Sequence, residues 1–477
     1  MRCRAAIVVL VLVVLAACAP AAAARRPNVV VIETDDQTPT SLYAMPTVQR
    51  LIVRQGVSFD NSFVSFPLCC PSRATFLTGQ YAHNHGVRNN KPPNGGFTKL
   101  RGNETLPVWL NRAGYRTILV GKYLNGYGER DPSEVPPGWT DWHGLVDPTT
   151  YRYYGFTIND DGHPHHYVRR PRNYQTHVLT NKAVKQIRRA SGDDRPFFMW
   201  TTYVAPHFAF DSPHKPIPTP VPAPQDRGDF AGAPLPGAPS YNEADVSDKP
   251  ATIRQYPRLN RVYRAAIRTN WERELESLQA VDRGVGRIVQ ALRDHHELGH
   301  TILVFTSDNG YIHGEHRVPF GKLLPYEESI RVPLVIRGPD LPHDVHVGAL
   351  ASNQDLAPTI LDATGAEAGL TEDGVSLMPL MRGGTLPDRD LLIEGFYSFG
   401  VRVHYAAVRT ERWFYAEYTN GERELYDLAS DPDELENLAS SPYYQDVEAD
   451  LANRLAALRT CSGKGCLRED APGGAAR

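Results

Sequence analysis

Two apolar runs, each ending in a pair of oxygen-bearing side chains, constrain the fold of this chain more than any other feature. The first, "PNVVVIETDD", ends in Asp35 and Asp36, and the second, "TILVFTSDN", ends in Asp308 and Asn309. Unbroken runs of this kind are typical of strands buried on both faces of a parallel sheet. Because ligands of open α/β sheets bind beyond the carboxyl ends of the strands, these four side chains are predicted to converge there.

The sequence between these runs alternates between helical and strand-like patterns. The clearest helix places apolar residues at helical spacing from Leu275 to Leu292, and it leads directly into the second run. The Pro-, Gly- and Ala-rich stretch 206–250 is predicted to be a long surface loop lining a cleft. This alternation predicts an α/β fold, in which helices sandwich a large mixed, mostly parallel sheet over residues 27–370.

The pattern changes in the last part of the chain. "YAAVRTERWFYAEYTNGERELYDL" contains two strand-like runs joined at "NG", a hairpin signal, and a terminal amphipathic helix is predicted over 447–458. Residues 371–460 are therefore predicted to form a small α+β subdomain with an antiparallel sheet. In the tail, 461–477, a short loop separates Cys461 from Cys466. The two are predicted to form a disulfide, with two free thiols as the alternative.

Residues 1–24 are predicted to be a targeting leader. A short basic start precedes an apolar run that is too short to span a membrane comfortably. "LAAC" resembles a lipoprotein box that would make Cys18 a lipidated N-terminus, whereas "APAAAA" suits an ordinary signal peptidase. Both predict an extracytoplasmic protein, secreted or anchored to the cell envelope through lipid at Cys18.

The formal net charge of −3 argues against a general nucleic-acid-binding protein.

The side chains at the two predicted strand ends suggest a metal site. Three carboxylates packed together would repel one another and raise each other's pKa, and a divalent cation removes that conflict. All-oxygen ligands favour Ca²⁺ or Mg²⁺ over zinc or copper. Either pair alone is better explained as a turn or a helix cap. The presence of both pairs favours a metal, and its ligands would be Asp35, Asp36, Asp308 and Asn309.

A second site is indicated by "LCCPSRATFLTG", in which Cys69 and Cys70 stand side by side. Pro71 suits the first turn of a helix and biases Cys70 towards an extended conformation, so Cys69 is expected just ahead of a helix N-terminus. The free N–H groups and the dipole of such a terminus favour an anion. The guanidinium group of Arg73 adds hydrogen-bond donors in a fixed planar arrangement. The stretch predicts an anion site with a cysteine at its mouth. The alternative is a capped helix with a half-buried cysteine.

The same stretch resembles the C-x-P-S-R-x-x-x-x-T-G motif of the type I sulfatases, in the alkaline phosphatase superfamily. In that family the first cysteine is converted after translation to Cα-formylglycine; the match sets Cys69 at that position and Cys70 at the variable one. Further segments that resemble the family are "ETDDQ", "TSDNG", "GKYLNGYG", "APHF", "HRVPFGKLLPYEESIRVPLVIRGP", "DLAPTILDATG" and "ELYDLASDPDELENL". The resemblance runs from about Pro27 to Leu458. "CCPSRA", "YAHNHGV" and "GKYLNGYG" are most similar to N-acetylglucosamine-6-sulfatases.

The resemblance implies a Ca²⁺-dependent enzyme, with Mg²⁺ as the alternative ion, and a catalytic domain over 27–370. Hydrated formylglycine at position 69 would attack the sulfur of a sulfate ester and would also contact the metal. Asp308 would assist as a base. Maturation of Cys69 would require a formylglycine-generating enzyme as a partner.

The resemblance also implies roles for the cationic residues. Arg73 would hold the hydrated aldehyde, while Lys122 and Lys322 would bind sulfate oxygens as point charges. His207 would protonate the leaving alcohol. His85 would either order the aldehyde or cap its helix. Each lysine taken alone would more often be a solvated surface charge.

Two features stand apart from this scheme. Many sulfatases carry "GKWH", whereas here Leu124 occupies the histidine position, which leaves His85 as a substitute for proton handling. The tract "DGHPHHYV" carries His163, His165 and His166. It resembles a metal cluster, but it is predicted to be a polar surface hairpin.

The sequence therefore predicts an enzyme that hydrolyses sulfate monoesters, either 6-O-sulfated N-acetylglucosamine in glycans or aryl sulfates. Three alternatives remain open at this point. The first is a phosphodiester or phosphonate monoester hydrolase of the same superfamily. The second is a non-catalytic glycan-binding protein with an unmodified Cys69, and the third is a thiol enzyme that pairs Cys69 or Cys70 with His85.

Overall fold

The computed structural model describes residues 25–396 and 404–468. The predicted leader, with Cys18, lies outside these residues, and so does the end of the predicted tail. Within the described ranges no helix is both long enough and apolar enough to cross a bilayer.

The strands and α-helices are numbered here in chain order. The strands are β1 Asn28–Asp35, β2 Val57–Phe59, β3 Ser62–Phe63, β4 Arg116–Gly121, β5 Asp141–Leu145, β6 Phe156–Asp160, β7 His163–Tyr167, β8 Phe197–Pro206, β9 Thr301–Ser307, β10 Leu334–Arg337, β11 Val345–Val347, β12 Ala351–Ser352, β13 Leu391–Gly395, β14 Tyr405–Arg409, β15 Trp413–Tyr418 and β16 Arg423–Asp427. The helices are α1 Pro46–Leu51, α2 Cys69–Thr78, α3 Ala82–His85, α4 Leu106–Arg112, α5 Gln175–Ala190, α6 Ala251–Arg254, α7 Arg261–Asp294, α8 Glu327–Ile330, α9 Leu356–Thr364, α10 Met378–Met381 and α11 Gln445–Leu458.

A ten-stranded sheet forms the centre of the molecule, in the order β11-β2-β10-β9-β1-β8-β4-β5-β6-β7. Its middle strands β9, β1, β8, β4 and β5 are parallel. Towards the edges, β10 runs antiparallel to β9, and β6 and β7 form an antiparallel hairpin beside β5. The predicted large mixed, mostly parallel sheet is confirmed.

Strand β1 supplies both faces of this sheet. Val29 and Val31 pack into a core formed with α2, α4 and α9. Val30 and Ile32 enter a second core formed with α1, α5 and α7. Successive side chains of a strand point to opposite faces, so a strand covered on both sides needs apolar residues at every position. The carboxyl end of β1 therefore belongs to a strand that is buried along its whole length.

The predicted central helix is longer than its apolar pattern. Helix α7 begins at Arg261 because Asn260 caps it, with the Asn260 side chain accepting from the N–H groups of Val262 and Tyr263. The predicted loop over 206–250 is irregular apart from short turns such as Pro224–Asp226.

The small C-terminal sheet has the order β13-β14-β15-β16, with every neighbouring pair antiparallel. Two strands joined at "NG" were predicted between residues 405 and 428, but this segment contains three. The extra turn between β14 and β15 has no glycine and so carries no hairpin signal. It is closed instead by Thr410 Oγ1, which accepts from the N–H groups of Arg412 and Trp413. Helix α11 covers one face of the sheet.

The described cysteines divide into two kinds. Cys461 and Cys466 form the predicted disulfide. Cys69 and Cys70 are both buried, and neither is in a disulfide with another described residue.

Candidate active site

The two strand-end pairs, Asp35–Asp36 and Asp308–Asn309, meet at the carboxyl edge of the sheet. Strands β1 and β9 are parallel neighbours in register, which brings the residues that follow them together. The Asp36 N–H lies 3.3 Å from Asp308 Oδ1, and Asn309 Nδ2 donates to Asp36 Oδ1 at 2.6 Å. Asp36 turns the chain with φ of 69°, a left-handed conformation that aspartate tolerates. The structure thus brings together the four predicted metal ligands, all of them buried.

Helix α2 positions the cysteine. Cys69 and Cys70 are its first two residues, and Leu68 before them is extended. The prediction that Cys69 precedes the helix and that Cys70 is extended is therefore wrong. The first turn of a helix has no intrahelical partners for its N–H groups, so Pro71 is accommodated at the third position without losing a hydrogen bond. The Cys70 N–H is instead satisfied by Asn90 Oδ1 at 2.9 Å.

The Cys69 thiol lies in a polar and charged environment. Its Sγ is 3.5 Å from Asp35 Oδ1 and 2.9 Å from Lys322 Nζ, and the Tyr151 hydroxyl is 4.0 Å away. Burial, together with the Asp35 carboxylate, raises the pKa of Cys69 to about 11. The thiol is therefore neutral near pH 7. A thiol enzyme needs a thiolate, and the raised pKa works against that alternative.

Arg73 is a buried structural cation of the site. Its Nε donates to Asp308 Oδ2 at 2.8 Å, its Nη1 donates to the Lys122 carbonyl at 3.0 Å, and its Nη2 lies 3.0 Å from Glu33 Oε1. A fully buried guanidinium must be paired in this way, since an unpaired one would carry a large desolvation cost. Glu33 could not be recognised from the sequence, where its only signal is a carboxylate inside an apolar run. Burial raises its pKa to about 7.

Lys122 follows β4, so its ammonium reaches the same edge. Its Nζ lies 2.5 Å from Asp35 Oδ2 and 3.6 Å from Asp308 Oδ2. Burial opposes the charge of Lys122, but the neighbouring acidic groups, chiefly Asp35, together outweigh it and the pKa of Lys122 is raised. Lys122 is therefore a fixed cation of the cluster and not a solvated surface charge.

The Lys322 ammonium lies inside the predicted metal-ligand set. It is 2.9 Å from Cys69 Sγ, donates to Asn309 Oδ1 at 3.3 Å, and also contacts Asp36 Oδ1. Asp36 Oδ2 is buried and has no hydrogen-bond partner among the described residues.

Four side chains offer ligand atoms that lie within 4.8 Å of one another: Asp35, Asp36, Cys69 and His207. The carboxylates of Asp35 and Asp36, with Asp308 and Asn309 beside them, offer the oxygen ligands that Ca²⁺ and Mg²⁺ take.

His207, immediately after β8, joins the cluster. Its Nδ1–H donates to the Phe208 carbonyl at 2.7 Å, and its Nε2 lies 3.6 Å from Asp36 Oδ2. Burial lowers the pKa of His207, which favours a neutral ring with its Nε2 lone pair facing the site. This state suits a proton acceptor or a ligand. To act as the predicted general acid, His207 must first take up a proton.

Tyr151 is a residue of the site that the sequence analysis missed. Its hydroxyl accepts from Asn125 Nδ2 at 2.7 Å, and its ring lies 4.9 Å from the Lys122 ammonium and 4.4 Å from the His207 ring. It comes from the loop after β5, where a single tyrosine carries no sequence signal. Leu124, at the position where many sulfatases have histidine, packs into the hydrophobic core.

The structure does not bring His85 to this cluster. The Val87 N–H donates to His85 Nδ1 at 3.1 Å, so the ring carries its proton on Nε2 and donates to Thr75 Oγ1 at 3.0 Å. Burial lowers the pKa of His85 to about 3. Both ring nitrogens are engaged within the α2–α3 region, which supports the capping interpretation.

The remaining histidines of the sequence analysis lie elsewhere. His83 contacts Glu394 and the Cys461 carbonyl, and so links α3 to the C-terminal part of the chain. His163, His165 and His166 are exposed on β7, as expected for a polar surface hairpin.

The buried, neutral state of His85 makes stability depend on pH. Its pKa is about 3 in the folded chain, against about 6.5 when exposed, so between these values only the unfolded chain takes up the proton. Stability from this residue is present above the unfolded pKa and falls by about 1.4 kcal/mol per pH unit on acidification. We expect His85→Gln to lose less stability than the wild type between about pH 6 and about pH 4, measured by urea unfolding. The variant His163→Gln, at an exposed position, should follow the wild type. If the free energy of unfolding changed equally with pH in all three proteins, the buried neutral state assigned to His85 would be wrong.

Open α/β sheets bind ligands beyond the carboxyl ends of their strands, and a buried cluster of carboxylates and lysines at that edge suits a divalent cation and an anionic ligand. The sequence matches the family model for sulfatases over residues 27–366, and the model "N-sulphoglucosamine sulphohydrolase, C-terminal" over residues 314–461. The chain therefore belongs to the sulfatase family and is an enzyme that hydrolyses sulfate esters.

Individual relatives agree with the family match. The chain is 35% identical to an arylsulfatase of Volvox carteri, over 92% of this chain and 75% of that protein. It is 33% identical to the N-acetylglucosamine-6-sulfatase of Homo sapiens, over 92% of this chain and 86% of that protein. A solved protein in complex with its substrate D-glucosamine-2-N,6-O-disulfate superposes with a TM-score of 0.77 at 25% identity, over 91% of this chain and 97% of that one.

Proposed function

We propose that residue 69 is the nucleophile of this sulfatase, after oxidation of Cys69 to Cα-formylglycine by a formylglycine-generating enzyme. The observation that carries this proposal is the position of Cys69 Sγ, between the Lys322 ammonium and the Asp35 carboxylate at the first turn of α2. An unmodified thiol would be a poor nucleophile at this position, because its raised pKa keeps it protonated. A hydrated aldehyde at residue 69 would supply the attacking hydroxyl.

A divalent metal, Ca²⁺ with Mg²⁺ as the alternative, is proposed to bind at the same edge. Its proposed ligands are Asp35, Asp36, residue 69, Asp308 and Asn309. Bound there, it would neutralise charge on the sulfate group and lower the pKa of a neighbouring hydroxyl. The unpartnered, buried Asp36 Oδ2 supports this assignment.

The protein's own side chains are proposed to handle the remaining charge and protons. Lys122 and Lys322 would bind sulfate oxygens as point charges. Arg73 would hold Asp308 and Glu33 in place, and would thereby keep the nucleophile end of α2 fixed against β1 and β9. His207 would accept a proton on Nε2 and return it to the leaving alcohol.

Sulfated amino sugars are the proposed substrates, with sulfate on the 6-oxygen of N-acetylglucosamine, and aryl sulfates as the simpler class. The similarity to N-acetylglucosamine-6-sulfatases over most of the chain supports the first, and the similarity to an arylsulfatase supports the second. We further propose that the catalytic domain spans residues 27–370 and that residues 371–460 form the C-terminal subdomain. The enzyme is proposed to act outside the cytoplasm, secreted or anchored through lipid at Cys18.

The substrate class is tested by comparing turnover of three esters by matured enzyme. We expect kcat/KM to be highest for N-acetylglucosamine-6-sulfate, lower for an aryl sulfate, and lowest for an aryl phosphodiester. The Cys69→Ala variant serves as the background for each ester. Faster hydrolysis of the phosphodiester would instead favour the phosphodiester or phosphonate monoester activity.

A further inference from the structure

A second cluster of ligating side chains lies away from the active site, where the segment after β9 meets the C-terminal sheet. It consists of His316, Glu328 on α8, and Glu434 in the loop after β16. One ligand atom from each lies within 4.8 Å of the others. His316 and Glu434 are only 0% and 1% exposed, so solvent does not satisfy them.

Each of the three side chains is held through one atom and leaves its other atom unpaired. The holding contacts are His316 Nδ1 with Glu243 Oε2 at 2.7 Å, Ser240 Oγ donating to Glu328 Oε1 at 3.2 Å, and the Glu327 N–H donating to Glu434 Oε2 at 3.0 Å. The other three atoms, His316 Nε2, Glu328 Oε2 and Glu434 Oε1, are buried and have no hydrogen-bond partner in the described part of the chain. Unpaired buried polar atoms are costly, and three in one cluster point to a missing partner.

The contacts of His316 fix the tautomer and the orientation of its ring, so that Nε2 can bind a metal. Because a carboxylate can only accept, Nδ1 carries the proton towards Glu243 and Nε2 presents its lone pair. Lys249 Nζ lies 3.4 Å from Glu243 Oε1, and the ring stacks on Tyr326 at 4.1 Å. A carboxylate behind a histidine, fixing its tautomer and orientation, is the usual support of a metal-binding imidazole.

We propose that His316, Glu328 and Glu434 bind a zinc ion, with water as the remaining ligand. One imidazole nitrogen and two carboxylate oxygens suit zinc, whereas the oxygen-rich active site suits Ca²⁺. The ion would join the C-terminal subdomain, through Glu434, to the segment from His316 to Glu328. Lys322 lies in that segment, so the same ion would help hold a sulfate-binding lysine in place.

The competing explanation is a proton shared between the two carboxyl groups, with no metal. In that case Gln at one position would preserve the pair as an amide–carboxylate hydrogen bond. Zinc binding distinguishes the two, because Gln is a poor zinc ligand and its carboxamide does not replace the lost charge.

The test measures zinc retained by the full chain in excess Ca²⁺. Protein stripped with a chelator is re-equilibrated with excess Ca²⁺ and a slight molar excess of Zn²⁺, freed of unbound metal, and analysed by elemental mass spectrometry. Because Cys69 and His207 could also attract zinc, the series is made in the Cys69→Ala background. We expect about one zinc per chain, and a higher Tm with zinc than with Ca²⁺ alone.

Two substitutions on different elements are compared with a matched control. Glu434→Gln and Glu328→Gln should each lose the retained zinc and the accompanying rise in Tm. Glu436→Gln removes the same charge at an exposed position two residues from Glu434 and should retain both. Failure of the parent protein to retain zinc, or full retention by Glu434→Gln, would overturn the proposal in favour of the shared proton.

Discussion

Cys69→Ala is expected to abolish hydrolysis of every sulfate ester while leaving the fold intact. The substitution removes the thiol that conversion of Cβ to the aldehyde requires, and alanine is compatible with the first position of α2. Loss of a nucleophile typically costs more than about 10⁴-fold in kcat. Turnover of an aryl sulfate, followed beside the circular dichroism spectrum and Tm, measures both parts of the expectation.

The neighbouring cysteine provides the control for this experiment. Cys70 packs into the hydrophobic core beneath α2, so Cys70→Ala should lower stability by about 1 kcal/mol and leave kcat nearly unchanged. Peptide mass spectrometry of the active wild type should show the thiol of residue 69 replaced by an aldehyde. Full activity in protein that carries only the unmodified thiol would refute the proposed nucleophile.

Asp36→Asn is expected to have the second largest effect on activity, because it removes the charge of a proposed metal ligand. Asp36 contacts Asp308, Asn309, Lys322 and His207. Loss of an outer-shell partner of a metal site costs about 10- to 100-fold in activity or metal affinity, so loss of a direct ligand should cost more than about 100-fold. Asparagine also tolerates positive φ, so the backbone at this position need not change.

Asp161→Asn is the matched control for Asp36→Asn. Asp161 also has positive φ, at 50°, and it lies in the β6–β7 turn outside the active site. It should retain wild-type activity and wild-type Ca²⁺ binding by calorimetry. Chelation of the wild type should reproduce the loss caused by Asp36→Asn, and Ca²⁺ should restore activity to the wild type only. An Asp36→Asn variant with normal Ca²⁺ affinity would remove Asp36 from the ligand set.

The sheet and the strand-end pairs could be predicted because their signals are local. Apolar runs report strands buried on both faces, and the residues after such strands must share an edge. The start of α2 was misplaced because Pro71 is compatible with more than one position in a first helical turn. The strand β14 was not separated from β15 because its turn depends on a threonine side chain and not on glycine.

Parts of the site that depend on tertiary contacts could not be predicted. Glu33 matters because Arg73 is buried against it, and Tyr151 matters because its loop folds over Lys122. The cluster of His316, Glu328 and Glu434 combines two distant parts of the chain, and none of its members stands in a spacing typical of metal ligands. Such residues are recognised by burial and by unpaired atoms, which only the folded structure reveals.

The complete burial of α2 sets an order of events for the synthesis of the active enzyme. All ten residues of the helix are buried, and Cys69 itself is only 1% exposed. The proposed oxidising enzyme needs contact with residue 69, and the folded chain buries that residue. The proposed oxidation therefore has to precede closure of the fold, and adding the proposed oxidising enzyme to purified, folded protein should not rescue chains that folded with the thiol intact.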